Sequence, residues 1–285
     1  MSKINASPRV LLLGGRGYLA GHFRSVYPDA LAPEVDVTDP HAVARALDEA
    51  RPEVVINCAG KTGRPNVDWC EDHRAETFQV NVTGALVALH ACLDRGLYFV
   101  HVSSGCIYEG DNGGRGFNED DPPNFAGSFY SRTKALAEDL IRPYPALSLR
   151  LRMPFDGTRS DRNLIMKLRN YRRVLTVPNS LTHLPDFLRA AAALIARRAT
   201  GAYNVVNEGW ISPYEVMQFY RRRIDPEHRF EPLALDQLPE VARAGRSNCL
   251  LDTAKLRAAG LALPPVEQAV EAALAALAGD LAAAA

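Results

Sequence analysis

The run Val10-Leu11-Leu12-Leu13, followed at once by Gly14-Gly15-Arg16-Gly17, constrains the fold more than any other stretch of this chain. Four apolar residues ending on closely spaced glycines read as a strand buried on both faces, then a tight turn, then a helix opening at Tyr18-Leu19. Gly14 and Gly17 let the backbone turn sharply and approach a pyrophosphate, whose charge the N-terminus of the following helix would stabilise. Ala20 stands where such turns often carry a third glycine and is small enough for close packing of helix on strand.

Short apolar runs recur at Val54 to Asn57, Tyr98 to Val102 and Leu147 to Arg152, separated by amphipathic stretches at His41 to Ala50, Phe78 to Arg95 and Ser131 to Ile141. This alternation predicts an α/β fold: a Rossmann-type, doubly wound parallel sheet with helices on both faces. Beyond Arg152, prolines at 154, 178, 185, 213, 226 and 232 interrupt the rhythm and predict a smaller C-terminal substrate lobe. Residues 1–152 are read as the dinucleotide-binding domain and 153–285 as the lobe, interleaved, with later strands of the main sheet coming from about 174–207. The Ala/Leu-rich tail from Val266 to Ala285 predicts a terminal helix that frays.

Thirty-three basic residues balance thirty-three acidic ones, so no net field draws the chain to nucleic acid or to an anionic membrane. The start, Met1 to Pro8, lacks a signal-peptide apolar stretch, and no run approaches the ~18 apolar residues of a membrane span; a cytoplasmic protein is expected. The cysteines at 58, 70, 92, 106 and 249 show neither paired nor zinc-ligand spacing, so neither a disulfide framework nor a metal is expected.

Tyr130-Ser131-Arg132-Thr133-Lys134 places a phenol and an ammonium one helical turn apart on one face. The lysine is expected to lower the phenol pKa and hold a nicotinamide ribose, leaving the tyrosine to act as acid or base, with Ser104 at the end of the preceding strand as its partner. The second strand, around Ala30 to Ala32, is poorly marked and carries no evident acidic residue at its end. Arg16 is therefore read as the partner of a ribose 2′-phosphate, making NADPH the expected cofactor with NADH the alternative, and Asp36 as meeting the adenine edge.

With these motifs the chain resembles the extended short-chain dehydrogenase/reductases that act on nucleotide sugars. The strings Asn57-Cys58-Ala59-Gly60, Gly63 to Glu71, Gly127 to Lys134 and Arg150-Leu151-Arg152-Met153-Pro154 are similar to the 3,5-epimerase/4-reductase module of nucleotide-rhamnose synthases. That group is related to the dTDP-4-dehydrorhamnose reductases and the GDP-fucose synthases. The resemblance implies a cofactor site formed by Gly14, Arg16, Gly17, Tyr18, Leu19, Asp36, Cys58, Ala59, Gly60, Asn81, Tyr130 and Lys134. It implies that Cys106 is an epimerase base and Lys167 the opposing acid, and that Arg64, Asn66, Asp68, Asn124 and Tyr130 contact the substrate.

The implied reaction converts a UDP- or dTDP-4-keto-6-deoxy-D-glucose to the nucleotide-L-rhamnose. The keto sugar would come from a separate 4,6-dehydratase, and a homodimer through the helices flanking the Tyr130 segment is a further implication. Independently of the resemblance, lysine is rare here: only Lys3, Lys61, Lys134, Lys167 and Lys255 occur among the thirty-three basic residues, and two of them fall at proposed catalytic positions. Two alternatives stay open: a monofunctional dTDP-4-dehydrorhamnose reductase, and a non-catalytic NADP-binding regulatory subunit.

Overall fold

A computed structural model describes residues 8–282. The expectations for the first seven residues and for the end of the tail at 283–285 lie outside the described residues. In chain order the elements are β1 (Val10–Leu13), α1 (Tyr18–Val26), α2 (Pro40–Ala50), β2 (Val54–Asn57), α3 (Trp69–Asp72), α4 (Arg74–Phe78), a π turn (Gln79–Thr83), α5 (Gly84–Leu93), β3 (Tyr98–Ser104) and α6 (Phe129–Ile141). There follow β4 (Leu147–Leu151), β5 (Pro154–Phe155), α7 (Leu164–Arg169), β6 (Arg173–Leu175), β7 (Thr182–His183), α8 (Leu184–Ala196) and β8 (Gly201–Asn204). The chain closes with α9 (Pro213–Arg223), β9 (Glu231–Leu233), a 3₁₀ turn (Leu235–Glu240), α10 (Ala254–Ala258) and α11 (Val266–Ala282).

The main sheet runs β1-β2-β3-β4-β8 with every pair parallel. Strands β1 to β4 are fully buried because helices cover both faces, which is why β1 and β2 read as near-continuous apolar runs, whereas the edge strand β8 is mostly half-buried. On one face Phe23 of α1 and Phe187 and Leu194 of α8 pack against Leu12, Ile56 and Leu149. On the other, Val43 and Leu47 of α2 and Leu89 of α5 pack against Leu11, Val55 and Phe99. Asp39 starts α2 by accepting hydrogen bonds from the His41 and Ala42 amides at 2.8 and 3.2 Å, with Pro40 in the first helical position.

Three sequence expectations are revised. The strand sought at 30–32 is a single bridge, Leu31 to Leu11, held by two backbone hydrogen bonds; Pro33 offers no amide to carry the ladder further. The helix expected from Phe78 to Arg95 starts earlier, at Arg74, and contains the π turn around Asn81. Of residues 174–207 only β8 joins the main sheet; β6 pairs with β9 and β7 with β5, in two small sheets of the lobe. The lobe has its own core, in which Phe155, Ile165 and Leu168 meet Met217, Tyr220, Val270 and Leu274.

Beneath the site, Glu138 of α6 accepts hydrogen bonds from Arg150 Nε and Nη2 at 2.8 and 2.5 Å and from Ser103 Oγ at 2.5 Å, all buried. Burial opposes the charge of Arg150, but the Glu138 carboxylate outweighs it and the guanidinium pKa is raised. Glu138→Ala would leave that guanidinium buried without a counter-charge, so it is expected to destabilise the protein by about 3–5 kcal/mol. Urea unfolding checks this; a loss below about 1 kcal/mol, the value of an exposed pair, would contradict it.

Candidate active site

The loops leaving β1, β2, β3 and β4 all emerge at the C-terminal edge of the parallel sheet, where open α/β sheets bind their ligands. There they border a cleft of about 820 Å³ between sheet and lobe. Gly14, at φ +74°, holds a conformation that disfavours any side chain, and a Cβ on it would stand 2.7 Å from Ala59 backbone atoms. The glycine turn is therefore pressed against the loop after β2. Gly17 caps α1 without a side chain, so no capping group covers the first-turn amides, and Gly17, Tyr18 and Leu19 line the cleft. This cradle fits a dinucleotide pyrophosphate. Cys58, Ala59 and Gly60 line the cleft beside it, and burial pushes the Cys58 thiol up to about 12.

Ser128 starts α6 by accepting a hydrogen bond from the Ser131 amide, which aims Tyr130 and Lys134 into the cleft. Lys134 Nζ donates to the Val102 carbonyl at 3.0 Å and lies 3.2 Å from His101 Nε2. Burial pushes Lys134 down to about 8, against the opposing pull of Cys106, Glu138 and Cys58. The phenol of Tyr130 is not acidified as the sequence suggested. Burial drives its pKa up, Cys106 adds to that, and Ser104 and Arg152 pull the other way. The protein atoms therefore keep Tyr130 protonated, as a proton donor.

Ser104 ends β3, and its Oγ accepts a hydrogen bond from the Cys106 amide at 3.2 Å. Cys106 is 8% exposed, sits in a small apolar cluster with Ile107, Tyr108, Phe117 and Cys249, and still lines the cleft. Lys167 enters from the lobe, on α7, whose N-cap Asn163 accepts a hydrogen bond from the Ile165 amide. Its pKa is lowered, first by burial and then by the neighbouring Arg162. Asn163 also donates to Asp156, and Asp156 accepts from Tyr18 Oη at 2.7 Å, with His22 Nε2 2.8 Å away. Burial opposes the Asp156 charge, but the bonds from His22, Tyr18 and Thr158 push its carboxyl down to about 2, so this link between the glycine loop and the lobe stays ionised.

The other residues singled out from the sequence take different places. Arg16 forms an exposed ion pair with Glu34, an acidic residue just past the Leu31 bridge where the sequence reading found none. A phosphate would compete with that carboxylate for the guanidinium, and exposed pairs hold by only ~0–1 kcal/mol. Asp36 is exposed and accepts hydrogen bonds from the Thr38 amide and hydroxyl. Asn81 is buried away from the cleft, its amide spent on both backbone groups of Lys61 and on Thr133 Oγ1. It positions the loop after β2 rather than facing that cleft.

Arg64 is exposed, 3.7 Å from Asp161. Asn124 clamps the backbone of Glu109 through both ends of its amide, outside the cleft. Of the proposed sugar contacts other than Tyr130, Asn66 reaches the cleft. Asp68 stands behind it and holds Arg246 at 2.8 Å, and Arg246 lines the cleft. Arg246, Arg152 and Arg162 also line the cleft and do not stand out in the sequence, because what brings them there is contact across the fold; the one local signal is the place of Arg152 in Arg150-Leu151-Arg152-Met153-Pro154.

No helix among the described residues is long and apolar enough to cross a membrane, and no cluster of metal-ligating side chains occurs among them.

Residues 8–278 match the family described as RmlD substrate binding domain. A bifunctional dTDP-4-dehydrorhamnose 3,5-epimerase/dTDP-4-dehydrorhamnose reductase of Arabidopsis thaliana is 41% identical over 77% of this chain and 75% of its own length. A trifunctional UDP-glucose 4,6-dehydratase/UDP-4-keto-6-deoxy-D-glucose 3,5-epimerase/UDP-4-keto-L-rhamnose-reductase of the same plant is 36% identical over 88% of this chain, which spans only 39% of that longer protein. The solved structure of the L780 UDP-rhamnose synthase of Acanthamoeba polyphaga mimivirus superposes with a TM-score of 0.90 at 26% identity, covering 95% of this chain and all of that one. By the match of its length and by the cleft its fold builds, the chain belongs to the RmlD substrate binding domain family of extended short-chain dehydrogenase/reductases.

Proposed function

We propose that the protein is a bifunctional 3,5-epimerase/4-reductase that converts a UDP- or dTDP-4-keto-6-deoxy-D-glucose to the nucleotide-L-rhamnose with NADPH. One observation carries the reading: Ser104, Cys106, Tyr130 and Lys134 from the sheet side and Lys167 from the lobe side border a single cleft. A 4-keto group acidifies the hydrogens on carbons 3 and 5, and inverting either centre needs a base on one face of the sugar and an acid on the other. Cys106 takes the proton and Lys167 returns one from the opposite side. Ser104 and Tyr130 hydrogen-bond the carbonyl oxygen as charge develops on it.

NADPH, when bound, supplies the hydride to carbon 4. Gly17, Tyr18 and Leu19 would hold its pyrophosphate, and Lys134 its nicotinamide ribose. Tyr130 then protonates the new alkoxide, a step its burial favours by keeping the phenol neutral. Residues 1–152 together with α8 and β8 would form the cofactor domain, and most of the remaining C-terminal residues the substrate lobe. A separate 4,6-dehydratase would provide the keto sugar. A homodimer through α6, where Leu136 and Leu140 stand 40% exposed, belongs to the same proposal.

Incubation with NADPH and each 4-keto-6-deoxy sugar nucleotide in deuterated water tests it, with the product identified by NMR. The expected product is the L-rhamno sugar carrying deuterium at carbons 3 and 5. A 4-reduced sugar without deuterium would leave only the monofunctional reductase. Absence of NADPH oxidation with either nucleotide would overturn the enzymatic reading.

A further inference from the structure

Two arginines leave β4 side by side in sequence spacing, Arg150 and Arg152, and they are equally hidden, at 4% and 5% exposure. Arg150 has the Glu138 carboxylate; Arg152 has none. Its Nη2 donates to Asn179 Oδ1 at 2.6 Å and to the Ser247 carbonyl, both neutral, and its Nε is buried with no hydrogen-bond partner among the described residues. A cation hidden from water normally carries a counter-ion, because desolvation costs more than neutral dipoles return. This one instead lines the cleft. Its stem runs past the turn joining Ser104 to Cys106: a Cβ on Gly105 would stand 3.4 Å from Arg152 Cδ. The stem therefore lies beside the turn that carries Ser104 and Cys106, and the charge is near enough to the buried Tyr130 phenol to pull its pKa down against burial.

We propose that Arg152 is a catalytic residue whose guanidinium faces the C4 oxygen of the keto sugar and supplies the counter-charge for the negative oxygen formed in both half-reactions. This rests on the epimerase/reductase reading and adds a role to it. When the thiolate of Cys106 removes a proton from carbon 3 or 5, the C–H electron pair becomes the new C=C bond and the carbonyl pair moves onto O4. Reprotonation by Lys167 on the opposite face reverses that flow. On reduction, the hydride pair forms the new C4–H bond and the carbonyl pair again moves to O4, until Tyr130 protonates it. Arg152 makes and breaks no covalent bond; a fixed charge aimed at that one oxygen lowers both barriers.

Arg152→Met, matched in length but neutral, and Arg152→Lys, which keeps a charge without the planar fork, test the assignment. Deuterium exchange at carbons 3 and 5 is measured without cofactor, kcat and KM with NADPH and a pre-epimerised 4-keto-L-rhamnose nucleotide, and Tm by calorimetry. Arg152→Met is expected to lower exchange and kcat each by about 100-fold or more, with KM changed less than about threefold. Its Tm should be unchanged or higher, because an unpaired buried charge has been removed. Arg152→Lys should recover part of both rates.

A raised KM with kcat intact would show that the arginine grips the substrate in its ground state, and would overturn the proposal. So would a lowered Tm with exchange and reduction otherwise normal, which would mark a clip between Asn179 and Ser247. If the unsubstituted protein shows no exchange, the epimerase reading falls, and the kcat for reduction still decides the role of Arg152.

Discussion

Cys106→Ala should abolish deuterium incorporation at carbons 3 and 5 of the 4-keto sugar, a loss of about 10³-fold or more, at the upper side of what one positioned base contributes. Reduction of a pre-epimerised 4-keto-L-rhamnose substrate should survive within a few-fold, because Tyr130, Lys134 and Ser104 remain. The split between the two half-reactions is what makes the test sharp. Cys106 lies among apolar neighbours, the usual surroundings of a free cysteine that merely fills space, so burial alone does not mark it as a base. A filler cysteine would leave exchange undiminished on replacement. Cys106→Ser, which keeps the shape but offers a far less acidic hydroxyl, should fail at exchange as the alanine does.

Tyr130→Phe should remove about 10²–10⁴-fold of the 4-reduction rate while changing NADPH binding less than about threefold, since only the hydroxyl of the proton donor is lost. Stopped-flow reduction and fluorescence titration of NADPH read the two quantities; undiminished turnover would require another donor. The pH profile separates Tyr130 from its neighbour. Lys134 has its folded pKa pushed down to about 8 from an ordinary value of 10.5, so its ammonium is present below about pH 8 and is lost above it. The kcat/KM for reduction should fall by about tenfold per unit above that point if the charge is needed.

The same shift acts on stability with the opposite sign. Between about pH 8 and 10.5 the unfolded chain binds a proton that the folded protein does not, so this group makes folding more favourable as pH rises through that window. A reduction rate flat to pH 9.5 would show that the ammonium plays no part in that step.

Much of the architecture was legible because it is written in contacts between near neighbours. The strand starting at Val10, the glycine turn, the cap-and-proline start of α2 and the Tyr130/Lys134 spacing each depend on a few consecutive residues. The second strand was not legible, because Leu31 takes part in pairing alone between stretches interrupted by Pro28 and Pro33. Glu34 is inconspicuous in the sequence for the same reason: without a strand there is no strand end to single out an acidic residue. Asn81 shows the limit from the other side. Its place on a helix was expected, but its amide is committed to Lys61 and Thr133, and nothing within a turn of it announces either partner.

By itself, the sequence determined the layered sheet, the turn that would cradle a pyrophosphate and the helix carrying Tyr130 and Lys134, because short-range spacing controls backbone conformation and the facing of side chains. Tertiary structure alone decided which charged groups are answered and which are not. Asp68 reaches Arg246 across 178 positions, and Tyr18 reaches Asp156 across 138. Glu138 neutralises Arg150 and leaves Arg152, two residues further along, buried without a carboxylate. Pairing of that kind depends on where distant segments meet and on how much water they exclude, and neither is a property of neighbouring residues.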